Sequence, residues 1–319
     1  MRAFTGIVLA LRVGDPKIFF IDEPEAFLHP SLAHKLGSEI AKTTSRGDKQ
    51  VFVSTHSSHF LMGAIQSGAN VNVVRLTYHK GSGTARVLSN NAIRKMMQEP
   101  LLRSANALSG IFYEGIIVAE ADADRAFYQE INERLLGLES GRGAPNTLFL
   151  NANGKDSVNK IVEPLRKFGI PVAAILDIDA LNSGTNFPAL LEAISYPKCH
   201  NSIKMERSAV WSGLTSDGKK PKSDGGIALL DNSEKEKAEN FFDLLDKYGL
   251  FVLRGGEVEH WLPGLSVTRS KKWLRNIFEA LGNDPQAPNY IHPGSDDVWA
   301  FLDRVAAWIK DKARSGIPL

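Results

Sequence analysis

Three short segments of the chain each deliver acids immediately after an apolar run. Gly115–Ala119 is followed by Glu120 and, four residues on, Asp124. A strand leaving at Glu120 sets Asp124 one helical turn further along, so the two carboxylates converge at the strand's C-terminal edge. Residues 171–176 (PVAAIL) run into Asp177 and Asp179, which are two apart on a strand end and so are expected to point to one face. Carboxylates held this close repel one another unless a cation neutralises them, and hard oxygen ligands at this density suit Mg²⁺ or Mn²⁺. The plainer alternative is that Glu120 and Asp124 cap a helix while Asp177 and Asp179 begin a loop. A third pair, Glu257 and Glu259, follows the apolar residues 250–253, and Ser270-Lys271-Lys272-Trp273 comes soon after.

A second kind of chemistry is written near the N-terminus. Ile18–Asp22 is an apolar run ending in Asp22-Glu23, and a later run, Gln50–Ser54, ends in Thr55-His56. In a nucleotide-hydrolysing site the first acid holds Mg²⁺, the second polarises the attacking water, and a histidine can meet the γ-phosphate. Taken singly, the acids would be a helix cap and His56 a loop residue. A phosphate-cradling G-x-x-x-x-G-K-[ST] loop is missing. Residues 213–219 match its first seven positions, but Lys220 stands where the Mg²⁺-binding hydroxyl should be and Pro221 spoils the following helix.

These residues need strands to carry them. Residues 17–22 and Gln50–Ser54 read as buried strands around a helix over 31–42 with an apolar stripe at Leu32, Leu36 and Ile40. Residues 71–77 and 85–88 read as a hairpin turning at 80–83, followed by a helical stretch over 91–108. From residue 115 strands alternate with helices: strands at 115–119, 147–150, 171–176 and 250–253, helices at 122–136, 155–168, 241–248, 271–281 and 296–312. Alternation of this kind means a parallel α/β sheet. The Gly-, Ser- and Lys-rich residues 212–226 read as a mobile basic loop.

With 319 residues, two domains are expected, divided near residues 106–112. A hydrophobic share of 43%, a charged share of 23% and a net charge of +2 exclude disorder, a coiled-coil rod and a wholly basic nucleic-acid coat. The single cysteine, Cys199, excludes an internal disulfide and a cysteine-rich zinc site, and it favours a reducing cytoplasm. Neither a signal peptide nor a membrane span is expected.

Taken in order, Asp22-Glu23, the segment 25–30 and His56 resemble the Walker B acids, D-loop region and switch histidine of an ABC-type ATPase. The resemblance implies the C-terminal lobe of such a domain, without its phosphate loop and signature segment, so ATP is not expected to bind or be hydrolysed by this chain alone. Glu120, the D-x-D at Asp177 and Asp179, and Asn153-Gly154-Lys155 between them resemble a TOPRIM domain. Ala121 departs from the glycine usual after the glutamate and is expected to crowd the turn. An ABC-type lobe followed by TOPRIM, a late G-E-x-E-x-W-L and a K-W segment resembles the OLD (overcoming lysogenization defect) family of ATP-dependent nucleases.

That resemblance implies an α/β chain with a partial ABC-type ATPase lobe over residues 1–108. A TOPRIM domain, a Rossmann-like parallel sheet with a helical C-terminal part, is implied over 109–319. It implies a two-metal nuclease site using Mg²⁺ or Mn²⁺, with Glu120, Asp124, Asp177 and Asp179 as ligands and Glu257 or Glu259 completing the second position. It also implies a lysine that balances charge on the phosphate, either Lys272 or Lys271, although both also suit a solvated helix start. Asp22, Glu23 and His56 are the nucleotide-site remnant. The implied activity is DNA endonuclease, in DNA processing or anti-phage defence, with a second copy or a partner chain joined through the ATPase lobe. The alternative is a catalytically idle assembly or regulatory module working with a partner ATPase. A topoisomerase would need a tyrosine nucleophile on a further large domain, and a bacterial primase a zinc module.

Overall fold

A computed structural model describes residues 2–13, 16–45, 47, 49–79, 81–100, 102, 107–138, 140–182, 184, 186–197 and 200–317. Cys199 and part of the helical stretch expected over 91–108 lie outside the described residues. The chain divides into two compact units, residues 1–112 and 113–319.

The first unit runs α1 (Arg2–Val13), β1 (Ile18–Asp22), α2 (Pro30–Thr44), β2 (Gln50–Ser54), α3 (Ser58–Gln66), β3 (Val73–His79), β4 (Ser82–Leu88) and α4 (Asn90–Gln98). Strands β1 and β2 pair in parallel with Phe20 opposite Phe52 and Asp22 opposite Ser54. Alternation along the strands turns Phe19, Ile21, Val51 and Val53 onto a core of Leu11, Ala33, Leu36, Ile40 and Phe60. The expected stripe on α2 is corrected at one position: Leu32 is exposed and Ala33 takes its place in the core. The expectation of fully buried strands is corrected as well. Among the described residues helices cover one face, and on the other Phe20 and Phe52 stack 5.1 Å apart while remaining 80% and 53% exposed. Strands β3 and β4 form the expected antiparallel hairpin.

The second unit contains β5 (Gly115–Ala119), α5 (Asp122–Leu136), β6 (Thr147–Asn151), α6 (Val158–Lys167), β7 (Val172–Leu176), α7 (Asn186–Ala193), α8 (His200–Leu214), α9 (Asn232–Lys247), β8 (Leu250–Val252), α10 (Trp273–Leu281) and α11 (Asp297–Lys310). Its sheet is wholly parallel in the order β6-β5-β7-β8. Every residue of β5 and β7 is buried, as parallel strands covered on both faces require. One face, carrying Ile117, Ala119, Ala173, Ile175 and Phe251, packs on apolar side chains of α5, α10 and α11; α6 packs on β5 and β7.

The path of the chain places the site. From β5 it passes through α5 to β6 on one side, and from β7 it passes to β8 on the other. The sheet order therefore reverses between β5 and β7, and ligands of open α/β sheets bind beyond the strand C-termini at such a point. Glu120 follows β5 and Asp177 follows β7.

Candidate metal centre

Glu120, Asp177 and Asp179 meet at that reversal, each offering a carboxylate oxygen within 4.8 Å of the others. Their convergence has a different cause from the strand alternation expected for Asp177 and Asp179. Strand β7 ends at Leu176, and a short 3-10 turn over Ile178–Asn182 brings Asp179 back beside Asp177. The turn is tied down by the Ile178 N–H, which donates to Gly256 O at 2.8 Å.

Burial makes this cluster electrostatically costly. It pushes the Glu120 carboxyl up to about 7, with the charges of Asp177 and Asp179 adding to the rise and Lys222 and Lys155 opposing it. Burial likewise raises Asp177, against the pull of Lys222. Glu120 Oε2 and Asp179 Oδ1 are buried with no hydrogen-bond partner among the described residues. Carboxylate oxygens converging without donors fit a hard divalent cation, which would take the unshared lone pairs.

Asp124 stands apart from the three. Its Oδ2 accepts the Ala121 N–H at 3.0 Å at the start of α5, so the helix-cap reading holds for one of its oxygens. Burial, then the charge of Asp177, pushes its carboxyl up to about 7. Ala121 itself is extended (φ −125°), a conformation any residue adopts, so the crowding expected at this missing glycine does not arise.

The third acid pair divides. Glu257 is buried, with Oε2 3.1 Å from Arg269 Nη2 and Oε1 unpartnered among the described residues. It lines a cavity of about 340 Å³ together with His260, Trp261 and Asp297. Glu259 lies in the next turn, half-buried, and its charge helps raise Asp124 and Asp177.

The cations at the acids are not those expected from sequence. Lys271 and Lys272 are exposed at the start of α10 and pair with none of the acids. Lys155 Nζ is 2.6 Å from Asp179 Oδ2 and 3.3 Å from Asp179 O, and Lys222 Nζ is 2.8 Å from Asp177 Oδ2. Asn153 and Gly154, both left-handed, make the turn that aims Lys155, with the Gly154 N–H donating to Glu120 O at 2.9 Å. Lys222 belongs to residues 212–226, where a mobile basic loop was expected. That expectation is corrected: α8 extends to Leu214, Pro221 and Gly226 are buried, and the Ile227 N–H donates to Arg254 O at 2.9 Å.

In the first unit, His56 Nδ1 is 2.6 Å from Glu23 Oε2. The hydrogen bond to Glu23, then its charge, raises the His56 pKa. Asp22 accepts from the Ser54 hydroxyl and Glu25 from the Thr55 hydroxyl. Glu25, read in the sequence only as part of the D-loop-like segment 25–30, is buried and joins Glu23 and His56 in a group whose ligand atoms lie within 4.8 Å. Asp22 is not part of that group.

Residues 111–179 match the family described as "Overcoming lysogenization defect protein-like, TOPRIM domain". That stretch is similar to an OLD-like TOPRIM domain. It holds Glu120, Asp124, Asp177 and Asp179. Residues 1–62 match a family described as "AAA domain, putative AbiEii toxin, Type IV TA system". The chain is also similar to the Old nuclease of Escherichia phage P2, with 24% identity over 265 residues, 76% of this chain and 42% of that protein. It thus spans less than half the length of that relative. Among the described residues no helix is long and apolar enough to cross a membrane.

Proposed function

We propose that the chain is a divalent-metal-dependent DNA endonuclease that hydrolyses phosphodiester bonds at the TOPRIM acid cluster. The observation that carries this reading is the meeting of Glu120, Asp177 and Asp179 at the sheet's reversal point, with two buried oxygens that have no hydrogen-bond partner among the described residues. Mg²⁺ or Mn²⁺ held there would supply an activated water and offset charge on the phosphate. Glu120, Asp177 and Asp179 are the direct ligands of this proposal, and Asp124, Glu257 and Glu259 serve a second position. Lys155, paired with Asp179 Oδ2 and with its backbone carbonyl, helps hold that carboxylate in the cluster. Reaction balance is that of hydrolysis: the water oxygen bonds to phosphorus, one ester oxygen leaves with a proton, and the second water proton passes to a nearby carboxylate.

The similarity to the P2 Old nuclease supports DNA as substrate. We assign cleavage to the second unit, which holds the clustered acids Glu120, Asp177 and Asp179. The exposed Phe20–Phe52 face supports a role for the first unit in association with a second copy or a partner chain.

The test is incubation of the purified chain with supercoiled plasmid and Mn²⁺ or Mg²⁺ in the absence of ATP. Conversion to nicked or linear DNA, abolished by EDTA, is expected. Plasmid that stays supercoiled with every divalent metal tried would favour the idle-module reading instead.

A further inference from the structure

Lys222 occupies an unusual place for a residue from a Lys- and Gly-rich segment. Its Nζ lies 2.8 Å from Asp177 Oδ2 and 3.6 Å from Asp179 Oδ1, bridging two of the three clustered acids. The neighbouring lysines do otherwise. Lys219 Nζ turns back to Leu229 O at 3.1 Å, and Lys220 is exposed.

The placement is built into the backbone. Gly256 (φ 111°) lies so close to the segment that a Cβ there would be 2.5 Å from Lys222 O and 2.7 Å from Pro221 O. Gly226 (φ 60°) answers from the other side, where a Cβ would sit 2.0 Å from Arg254 O. Only glycine permits both approaches. The segment is thereby pinned next to Glu257, while the lysine side chain keeps a flexible four-carbon stem and is 34% exposed. An anchored backbone with a flexible cation lets the ammonium change partners without leaving the site.

Lys155 lacks that freedom, because it is held by both the carboxylate and the backbone carbonyl of Asp179. A lysine bound to Asp177 and Asp179 competes with any metal for the same oxygens. A site that hydrolyses a phosphodiester also needs a donor for charge developing on the phosphate.

We propose that Lys222 is an exchangeable counter-ion: it neutralises Asp177 and Asp179 in the metal-free protein and turns to a non-bridging phosphate oxygen when metal takes those carboxylates. The first half stands on the ion pairs alone; the second half rests on the nuclease reading.

The two halves are separated by calorimetric titration of Mn²⁺ and by plasmid cleavage at saturating Mn²⁺. Binding is measured at about pH 8.5, where protons compete least for the carboxylates. Lys222→Gln is expected to bind Mn²⁺ about tenfold more tightly, because one competitor is removed, and to cleave at least about tenfold more slowly. Lys222→Met serves as a second neutral variant should the glutamine disturb folding, and Lys222→Arg, which keeps the charge, should bind Mn²⁺ as the parent does. Lys220→Gln removes a charge from the same segment without a contact to the acids and is expected to match the parent in both measurements. Unchanged or weaker Mn²⁺ binding by the neutral Lys222 variants, or an equal gain in Lys220→Gln, overturns the counter-ion. Tighter metal binding with undiminished cleavage overturns the phosphate contact. A parent protein that binds Mn²⁺ yet cleaves nothing sinks the nuclease reading, and the binding comparison still decides the first half.

Discussion

Glu257 turns one carboxylate oxygen to the Arg269 guanidinium, 3.1 Å away, and buries the other without a partner among the described residues. A carboxylate half-paired in this way is raised first by its burial and then by the charge of Glu259. Its ionised form therefore costs folding free energy when no cation is bound. We expect Glu257→Gln to leave the melting temperature of the metal-free protein unchanged or higher. The same variant should weaken Mn²⁺ binding by about tenfold or more. Melting curves in EDTA and a metal titration check both. A variant that melts well below the parent in EDTA identifies Glu257 as a structural partner of Arg269 instead.

The clustered acids make a sharper case. Asp177→Ala or Glu120→Ala is expected to abolish cleavage, by more than about 100-fold, because each removes a direct ligand of the proposed cation. For Glu120, which forms no ion pair among the described residues, removing one charge from a repulsive group relieves the metal-free protein. The melting temperature of Glu120→Ala in EDTA should accordingly hold or rise. Circular dichroism melts beside plasmid assays decide the matter: a large drop in that melting temperature would make Glu120 structural.

How far such a site can be read from sequence depends on how local its causes are. Buried parallel strands are continuous apolar runs, so β5 and β7 and the acids at their ends are legible from the residues alone. Lys222 is not, because a Lys-, Ser- and Gly-rich segment carries the signature of a solvated loop. Its position depends on long-range packing of Gly226 on Arg254 O and of Gly256 on Lys222 O. The paired glycines at 225–226 and 255–256 were the available signal. Lys271 and Lys272 illustrate the converse, since spacing along the chain cannot tell a helix start facing solvent from one facing the site. In the first unit, β1 and β2 read as buried on both sides because a run such as Ile-Phe-Phe-Ile has no polar phase to betray the bare face of Phe20 and Phe52.

A stability prediction comes from Arg166, which is 1% exposed. Its guanidinium donates to the backbone carbonyls of Val172, Ile194 and Gly316 and lies 4.9 Å from the Trp308 ring. Carbonyls from β7, the end of α7 and the C-terminal segment are thus satisfied by one side chain. Arg166→Met keeps much of the volume but leaves those acceptors buried without donors, at a cost on the order of 3 kcal/mol. The melting temperature should fall by roughly 6–12 °C for a unit of this size. A fall of only a degree or two would mean that water replaces the guanidinium.

Nucleotide binding by this chain should be very weak. Affinity for a polyphosphate comes mainly from backbone N–H groups of a glycine-rich loop at a helix N-terminus and from its lysine. The 319 residues hold no G-x-x-x-x-G-K-[ST] segment. Asp22, Glu23 and Glu25 present carboxylates, and Glu23 is already engaged by His56. Calorimetry of the chain with ATP and Mg²⁺ is expected to give a Kd weaker than about 1 mM. A submicromolar value would overturn this expectation.

Metal binding should depend on pH with a sign set by burial. The Glu120 and Asp124 carboxyls are each pushed up to about 7, chiefly by desolvation, whereas in the unfolded chain they have ordinary carboxylate values. Between those limits the native protein keeps protons that the unfolded chain has lost. These two groups therefore favour the metal-free native state most at low pH, lose that contribution as pH rises toward about 7, and change little beyond it. A cation takes only the ionised carboxylates, so binding below neutrality must expel protons. Calorimetry of Mn²⁺ in two buffers of different ionisation enthalpy should show more protons released at about pH 6 than at about pH 8.5, with affinity climbing through neutrality and then levelling. Plasmid cleavage at limiting Mn²⁺ should rise over the same interval. Metal affinity that is flat from about pH 5.5 to 8 would mean that the cation is held by groups other than these two buried acids.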